Sequence, residues 1–134
     1  MLITSKLKEL SFLVYGLGLS GQSVVKFFKK NKIKNYKVWD DKQKKLFKNK
    51  RTKNLKETLK NVDYVILSPG ISLINKKNLK KFKKKIITDI DLLYLTNKKF
   101  KSIVVTGTNG KSTTCKLISH LLKKNKFKVL LGGN

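Results

Sequence analysis

The residues best suited to chemistry lie in a loop late in the sequence, in the stretch VVTGTNGKSTT from Val104 to Thr114. Backbone N–H groups around Asn109–Ser112 can surround phosphate oxygens, Lys111 can neutralise β- and γ-phosphates, and the Ser112 hydroxyl can ligate Mg²⁺. The common pattern G-x-x-x-x-G-K-[ST] has a glycine where this chain has Val105. The loop therefore predicts a triphosphate site of a variant type, and a simple polar helix cap is the alternative.

A second glycine loop, Gly16–Gly21 (GLGLSG), fits the pattern G-x-G-x-x-G. Glycines at these places allow a tight turn, close approach of a diphosphate and packing of a helix on a sheet. Asp40 follows 19 residues after Gly21, where a carboxylate commonly accepts a ribose hydroxyl. The pattern predicts a nucleotide or dinucleotide site, and a purely structural turn is the alternative.

Each loop needs a strand before it and a helix after it, and the sequence predicts a strand and a helix at these places. Apolar runs predict strands at residues 11–15, 36–39, 64–67, 86–88, 103–105 and 129–131. Helical apolar stripes lie at residues 20–30, 55–59, 79–86 and 117–122, while 89–95 fits a helical turn or a loop. This alternation predicts an α/β fold with a parallel, doubly wound sheet and flanking helices.

Composition limits the class of protein. Hydrophobic residues make up 40% of the 134, which is enough for a buried core. No apolar run reaches the roughly 18 residues of a membrane span, and the start of the chain lacks a signal-peptide pattern. A single cysteine, Cys115, excludes an internal disulfide and agrees with a reducing compartment. We therefore expect a cytoplasmic protein.

The net charge of +26 raises the possibility of nucleic-acid binding. Only one of the 33 basic residues is an arginine, Arg51, and the lysines are spread along the whole chain. Nucleic-acid sites favour arginine for bidentate and stacking contacts, which lysine cannot make. Solvated lysine-rich faces are therefore the expected interpretation, and a polyanion-binding role remains the alternative.

The order GLGLSG, WDD, SPGIS, DIDLL, VTGTNGKSTT and LLGGN is similar to that of the Mur ligases of bacterial cell-wall synthesis. The chain most resembles their D-glutamate-adding branch, from about Leu10 to Asn134. The resemblance implies a Rossmann-like domain over residues 1–98 that binds the UDP part of the substrate. It also implies that residues 99–134 are the incomplete beginning of a central P-loop ATPase domain, so the chain is expected to be an N-terminal part.

The activity implied by the resemblance is ATP-dependent amide formation. UDP-N-acetylmuramoyl-L-alanine would be activated as an acyl phosphate and joined to D-glutamate, with ATP and Mg²⁺ as cofactors. The resemblance places further metal ligands and the D-glutamate site beyond Asn134, so the chain alone is expected to be inactive. A monomer without nucleic-acid or membrane partners is expected.

The resemblance also carries over site residues one by one. The substrate-binding positions are Gly18, Leu19, Ser20, Asp40, Asp41, Lys42, Ser68, Pro69, Gly70 and Asn134. The ATP-binding positions are Thr108, Asn109, Gly110, Lys111, Ser112 and Thr113, with Lys111 as the catalytic residue and Ser112 as the metal ligand. The family often has threonine and arginine at the positions of Asp41 and Lys42, so the roles of these two residues are less defined.

Two other functions remain open at this stage. An NAD-dependent oxidoreductase could use the first glycine loop, but it would leave Lys111 unexplained. A lysine-rich nucleic-acid-binding module is the other.

Four further features are interpreted as structural: His120 as an ordinary histidine, Cys115 as a packing residue, Asp89 and Asp91 as solvated or capping, and Trp39 as part of the core.

Overall fold

The computed structural model describes residues 5–74, 76–96 and 101–132. The chain divides into two compact units, Met1–Phe100 and Lys101–Asn134. We describe each unit by itself.

The first unit is built on a four-stranded parallel sheet. Its strands are β1 (Phe12–Tyr15), β2 (Tyr36–Trp39), β3 (Tyr64–Leu67) and β4 (Ile86–Ile87), in the order β2-β1-β3-β4. From β1 the chain adds β2 on one side and then β3 on the other, so the direction of winding reverses at β1. Ligands of doubly wound sheets bind at such a reversal, beyond the carboxyl ends of the strands.

Helices precede, separate and follow the strands of the first unit, and the last helix in the chain lies in the second unit. In chain order they are α1 (Ser5–Glu9), α2 (Leu19–Lys30), α3 (Leu55–Asn61), α4 (Lys77–Lys80), α5 (Asp89–Thr96) and α6 (Lys111–Lys124), with 3₁₀ turns at Lys48–Lys50 and Lys83–Lys85. None of the helices in the described ranges is long and apolar enough to span a bilayer.

Both faces of the sheet are buried. All four residues of β1 are buried, with Phe12 and Val14 in the core cluster that includes residues of α2 and α5. Leu13 and Tyr15 belong to the opposite cluster, which includes residues of α3 and α4. A strand that is apolar on both faces is typical of a central parallel strand, and β1 therefore anchors the loop that follows it.

Aromatic packing fixes α2 on the sheet. The Phe28 ring lies 5.0 Å from the Phe12 ring and 5.2 Å from the Tyr36 ring, centroid to centroid, and the ring planes are tilted. Val25 and Phe28 are fully buried on the same helix face. These contacts pack the C-terminal half of α2 against the beginnings of β1 and β2, so the helix N-terminus points toward the carboxyl edge of the sheet.

The first and last glycines of the first loop are required by close packing. Gly16 has φ of +96°, and an added Cβ would lie 2.6 Å from Ile71 and 2.8 Å from Ser68. A Cβ on Gly21 would lie 1.8 Å from the carbonyl oxygen of Gly16. Gly18 differs, because its φ is −67° and no atom lies within 4 Å of the Cβ position. The fold therefore explains Gly16 and Gly21 but not Gly18.

The alternation of elements predicted from the sequence is largely confirmed, and so is the α/β class. Strands 36–39 and 64–67 have the predicted bounds, and residues 89–95 form a helix. The predicted strands at 103–105 and 129–131 are wrong, because neither segment is in a strand in this structure. A strand requires a hydrogen-bonded neighbour, and the apolar side chains of Val104 and Leu130 are instead 85% and 95% exposed.

A side-chain staple joins the beginnings of β1 and β3. The Ser11 N–H and hydroxyl donate to Oδ2 of Asp63 at 2.7 and 2.6 Å, and the Asp63 N–H donates to the Ser11 hydroxyl at 3.0 Å. The hydrogen bonds from Ser11 lower the pKa of Asp63 below its ordinary value. The two hydrogen bonds to the Asp63 carboxylate therefore support the strand register most strongly while the carboxylate is charged.

We expect Gly21→Ala to destabilise the first unit by more than about 3 kcal/mol, because the new methyl group would overlap backbone atoms. Gly18→Ala is the matched control in the same motif, with an expected cost below about 1 kcal/mol. Thermal or urea unfolding followed by circular dichroism measures both. Equal losses of stability would show that the loop is packed differently.

The Asp63 staple should make stability depend on pH in the acid range. A carboxylate whose folded pKa is lowered stabilises fully above its unfolded pKa, and this contribution is lost as pH falls through the folded pKa. The difference in unfolding free energy between the unsubstituted chain and Asp63→Asn should therefore shrink as pH falls from about 5 to about 2. Glu9→Gln, at the exposed end of α1, is the control. A difference that stays constant with pH would contradict the assignment.

Candidate functional site

The candidate site of the first unit lies where three neighbouring strands end together. Strand register aligns Tyr15 with Trp39 on one side and with Leu67 on the other. The next residues in the chain, Gly16, Asp40 and Ser68, therefore begin three loops at one level of the carboxyl edge. All the substrate-binding positions predicted from the sequence in the first unit belong to these three loops and the start of α2.

Hydrogen bonds join the loops to one another. Gly16 donates its N–H to the carbonyl of Trp39 at 2.8 Å, and Ser68 donates its N–H to the carbonyl of Tyr15 at 3.0 Å. The Ser68 hydroxyl also donates to the carbonyl of Gly16 at 2.9 Å. The Ser68 side chain is thus engaged in holding the glycine loop. Sequence reasoning assigned Ser68 only to ligand contact and did not predict this bracing role.

Asp40 is the buried centre of the arrangement. Its Oδ2 accepts the N–H of Leu17 at 2.6 Å, and its Oδ1 accepts the N–H groups of Lys42 and Gln43 at 2.8 and 2.7 Å. Burial raises the pKa of Asp40, but the three backbone donors outweigh burial and hold the pKa below its ordinary value. Asp40 therefore connects the glycine loop to the turn at 40–43 as a charged acceptor, a role that the sequence pattern did not reveal.

Asp41 has an exposed position and a different set of donors. It accepts hydrogen bonds from the Tyr15 hydroxyl at 3.0 Å, the Trp39 indole at 3.1 Å and the Lys76 ammonium at 2.7 Å. Burial raises the pKa of Asp41, and the hydrogen bonds from Lys76, Trp39 and Tyr15 lower it further than burial raises it. Burial and the neighbouring Asp41 raise the pKa of Tyr15.

A cavity of about 600 Å³ opens beside this carboxylate. Its polar wall includes Tyr15, Asp41 and Lys76, and its apolar wall includes Leu55 and Ile74. Neither Tyr15 nor Lys76 was predicted from the sequence to lie at a site. Tyr15 lies in an apolar run, where it looks like any other buried strand residue. Lys76 could not be distinguished from the other lysines by sequence alone.

The start of α2 presents the open part of the glycine loop. Gly18 precedes the helix, has no side chain to cap it, and is exposed. Leu19 is 89% exposed and Ser20 is half-buried. There is no acidic residue in the first turn. N–H groups and the positive end of the helix dipole at such a terminus favour an anion.

The remaining predicted residues of the first unit border the same edge. Pro69 and Gly70 form an exposed turn closed by a hydrogen bond from the Ile71 N–H to the carbonyl of Ser68 at 3.0 Å. The Lys42 side chain is exposed. The structure thus brings together nine of the ten predicted substrate-binding residues, while Asn134 lies outside the described residues.

The second unit contains the other predicted loop and α6. Gly107 and Gly110 have φ of +141° and +75°, so the backbone bends sharply before the helix begins at Lys111. The Lys111 ammonium donates to the carbonyl of Gly107 and, at 2.8 Å, to that of Thr108. The cation therefore folds back over the loop.

The other positions predicted to bind ATP lie in the same loop and on the first turn of α6. Thr108, Asn109 and Gly110 are exposed in the loop, and Ser112 and Thr113 are exposed on the first turn of α6. Left-handed glycines, exposed N–H groups and one lysine fit a phosphate-binding loop. Within the described ranges, no cluster of three His, Cys, Asp or Glu residues could hold a metal ion. The Ser112 hydroxyl offers one oxygen ligand.

The residues interpreted as structural agree with that interpretation. His120 is exposed on α6, and Cys115 is a half-buried free thiol. Asp91 caps α5, because its Oδ2 accepts the Thr88 N–H at 2.8 Å and the Thr88 hydroxyl at 2.9 Å. Trp39 is half-buried and packs against the core cluster that contains Leu13 and Tyr15.

Comparison with known proteins gives a consistent result. A family model described as "Mur ligase MurD-like, N-terminal domain" matches residues 10–91. The chain is 41% identical over 133 residues to a UDP-N-acetylmuramoylalanine--D-glutamate ligase of Buchnera aphidicola subsp. Schizaphis graminum (strain Sg), covering 91% of the chain and 30% of the relative.

Two proteins of the same name from other bacteria are similar. The one from Wolbachia sp. subsp. Brugia malayi (strain TRS) is 38% identical, with 97% of the chain and 29% of the relative covered. The one from Aquifex aeolicus (strain VF5) is 38% identical, with 93% of the chain and 28% of the relative covered. The chain therefore spans less than a third of the length of these curated relatives.

The family match includes all four strands and the three loops at their carboxyl ends. It covers more than half of the chain, and the relatives agree with it in name. This chain therefore belongs to the Mur ligase family and carries its MurD-like N-terminal domain.

Proposed function

We propose that this chain is the N-terminal, nucleotide-binding part of an ATP-dependent ligase that adds D-glutamate to UDP-N-acetylmuramoyl-L-alanine. The observation that carries the proposal is Gly18, a glycine at the start of α2 that no contact within the chain requires. An open glycine at this place in the motif allows a diphosphate to approach the backbone. The substrate is the one named for the similar ligases of the three bacteria.

The UDP part of the substrate would bind at the carboxyl edge of the first unit. Exposed N–H groups at Gly18–Ser20 suit the diphosphate, and the turn at Ser68–Gly70 borders the same edge. The turn at Asp40–Lys42 is proposed for the uridine. Asp40 acts there mainly by fixing the turn, since its carboxylate already accepts three backbone N–H groups.

The second unit is proposed to bind ATP. Thr108–Thr113 would surround the phosphates, Lys111 would neutralise their charge, and Ser112 would contribute one oxygen to Mg²⁺. Bound ATP supplies the phosphoryl group that activates the substrate carboxylate. The role proposed for Lys111 is supported by the position of its ammonium, which lies over the loop on the carbonyls of Gly107 and Thr108.

Domain limits and cellular setting follow from the same proposal. Residues 1–98 would form the UDP-substrate domain, and residues 99–134 would begin the ATP-binding domain. A cytoplasmic monomer without nucleic-acid or membrane partners fits an enzyme that uses ATP and a nucleotide sugar and carries one free cysteine. An NAD-dependent oxidoreductase fits less well, because it gives no role to the phosphate loop before α6.

Gly18→Val tests the proposed diphosphate contact. The side chain would enter space that is empty within the protein, so the fold should be retained while UDP binds at least about tenfold more weakly. Isothermal titration calorimetry with UDP and with NAD measures affinity, and thermal unfolding checks the fold. Gly132→Val, at an equally open glycine of the second unit, is the matched control. Preferential binding of NAD, or full UDP affinity in Gly18→Val, would overturn the proposal.

Lys111→Ala tests the phosphate loop. Removing the cation should weaken ATP binding by about tenfold or more, because a charge-assisted contact to phosphate is lost. Lys116→Ala removes the same charge from an exposed position on α6 and should change affinity less than about twofold. Titration with a fluorescent ATP analogue at two salt concentrations measures both. If both variants weakened ATP binding equally, the effect would come from the net positive charge and not from a contact between Lys111 and the phosphates.

A further inference from the structure

Arg51 is the one arginine in a chain whose other basic residues are all lysine. It follows the 3₁₀ turn at Lys48–Lys50 and lies beside the end of β2, where it forms an isolated parallel bridge with Val38. The next residue, Thr52, donates its N–H to the carbonyl of Val38 at 3.2 Å. The backbone of this segment is therefore fixed against the strand that leads into Asp40.

The guanidinium of Arg51 makes three contacts at once. Its Nη2 donates to the carbonyl of Asp40 at 2.8 Å, and its Nη1 donates to the carbonyl of Gln43 at 3.3 Å. The guanidinium carbon lies 4.6 Å from the centre of the Trp39 ring. Both hydrogen bonds go to the turn at 40–43, one to each end, so Arg51 closes that turn.

The same turn is held by Asp40 through different atoms. The Asp40 carboxylate accepts the N–H groups of Lys42 and Gln43, while the guanidinium binds the carbonyls of Asp40 and Gln43. Backbone N–H groups and backbone carbonyls of the turn are thus both hydrogen-bonded. The Asp40 carboxylate also links the turn to Leu17 of the glycine loop. Together these bonds restrict the turn to one geometry relative to that loop.

A lysine could not make this set of contacts. Its ammonium is a compact point charge, whereas guanidinium is a planar fork that can bind two acceptors and stack on a ring. The preceding residue provides the comparison, since the Lys50 ammonium reaches one carbonyl, that of Lys34, at 2.8 Å and the ring of Tyr36 at 4.8 Å. The requirement at position 51 is therefore for geometry and not only for charge.

We propose that Arg51 is a positioning residue for the uridine side of the nucleotide site, acting through the turn at 40–43 and not by contact with the ligand. This inference rests on the proposed function, because the turn matters to binding only if a nucleotide occupies that edge. Trp39 adds a direct reporter, since it is the only tryptophan in the chain and it stacks on Arg51.

The test compares Arg51→Ala, Arg51→Lys and Lys50→Ala in the whole chain, well below the unfolding temperature of each. Loss of two hydrogen bonds to the turn should weaken UDP binding roughly tenfold in Arg51→Ala, and Arg51→Lys should not restore it. Lys50→Ala removes the same charge and a ring contact one residue away, and should stay within about twofold. Full affinity in Arg51→Lys would overturn the proposal, because charge alone would then suffice.

Uridine without phosphates separates positioning from direct contact with the phosphates. If Arg51 acts through the turn, Arg51→Ala should weaken binding of uridine and of UDP by the same factor. A loss confined to UDP would show that Arg51 binds the phosphates and would overturn the inference. Titration followed by Trp39 fluorescence and by calorimetry gives both affinities.

Hydrogen exchange tests whether Arg51 holds the turn at 40–43 even when no nucleotide is bound. The Lys42 and Gln43 amides should exchange faster in Arg51→Ala than in Lys50→Ala, with or without ligand, because the turn has lost its closing contact. Faster exchange with unchanged UDP affinity would overturn the inference. Absence of UDP binding in the unsubstituted chain would instead overturn the proposed function, while the amides would still show whether Arg51 holds the turn.

Discussion

The first unit depends on one buried carboxylate that accepts three backbone N–H groups from two separate loops. Asp40 comes directly after β2, yet its Oδ2 holds Leu17 of the loop after β1 and its Oδ1 holds its own turn. Such an acceptor is strong because it is charged, and it must remain charged because protonation would remove an acceptor. The glycine loop and the turn are therefore positioned together, and neither has an independent geometry in this structure.

Few acidic residues are available, and the chain uses them mainly as hydrogen-bond acceptors. It has seven acidic residues against 33 basic ones. In the part of the chain that the structure describes there is one ion pair, between Lys76 and Asp41. Asp63 and Asp91 instead bind backbone N–H and hydroxyl groups. Most lysines are thus left to solvent, and the net charge of +26 gives the chain a positive field that attracts anionic molecules in general.

The sequence predicted those features that depend on local pattern. Buried apolar runs bounded by turn residues located β2 and β3, and the glycine loops were found by their spacing. Features that depend on a partner elsewhere in the chain could not be read in this way. The segment around Val104 has strand character, but no strand pairs with it among the residues that the structure describes. Arg51 was noted only for its rarity, because nothing in its sequence context indicates the two carbonyls that it binds.

The two loops that we propose to bind phosphate differ in how far they are prepared for a ligand. In the first unit, the open Gly18 stands beside residues already fixed by buried hydrogen bonds, so a ligand meets a formed surface and little ordering cost remains. In the second unit, the Lys111 ammonium occupies the carbonyls of its own loop in an exposed setting. Phosphate binding there requires exchange of neutral carbonyl acceptors for charged oxygens, which favours the ligand because charge-assisted hydrogen bonds are stronger. In the proposed function the first loop would thus rely on preorganised geometry, and the second on the charge of a lysine that would exchange its carbonyl partners for phosphate oxygens.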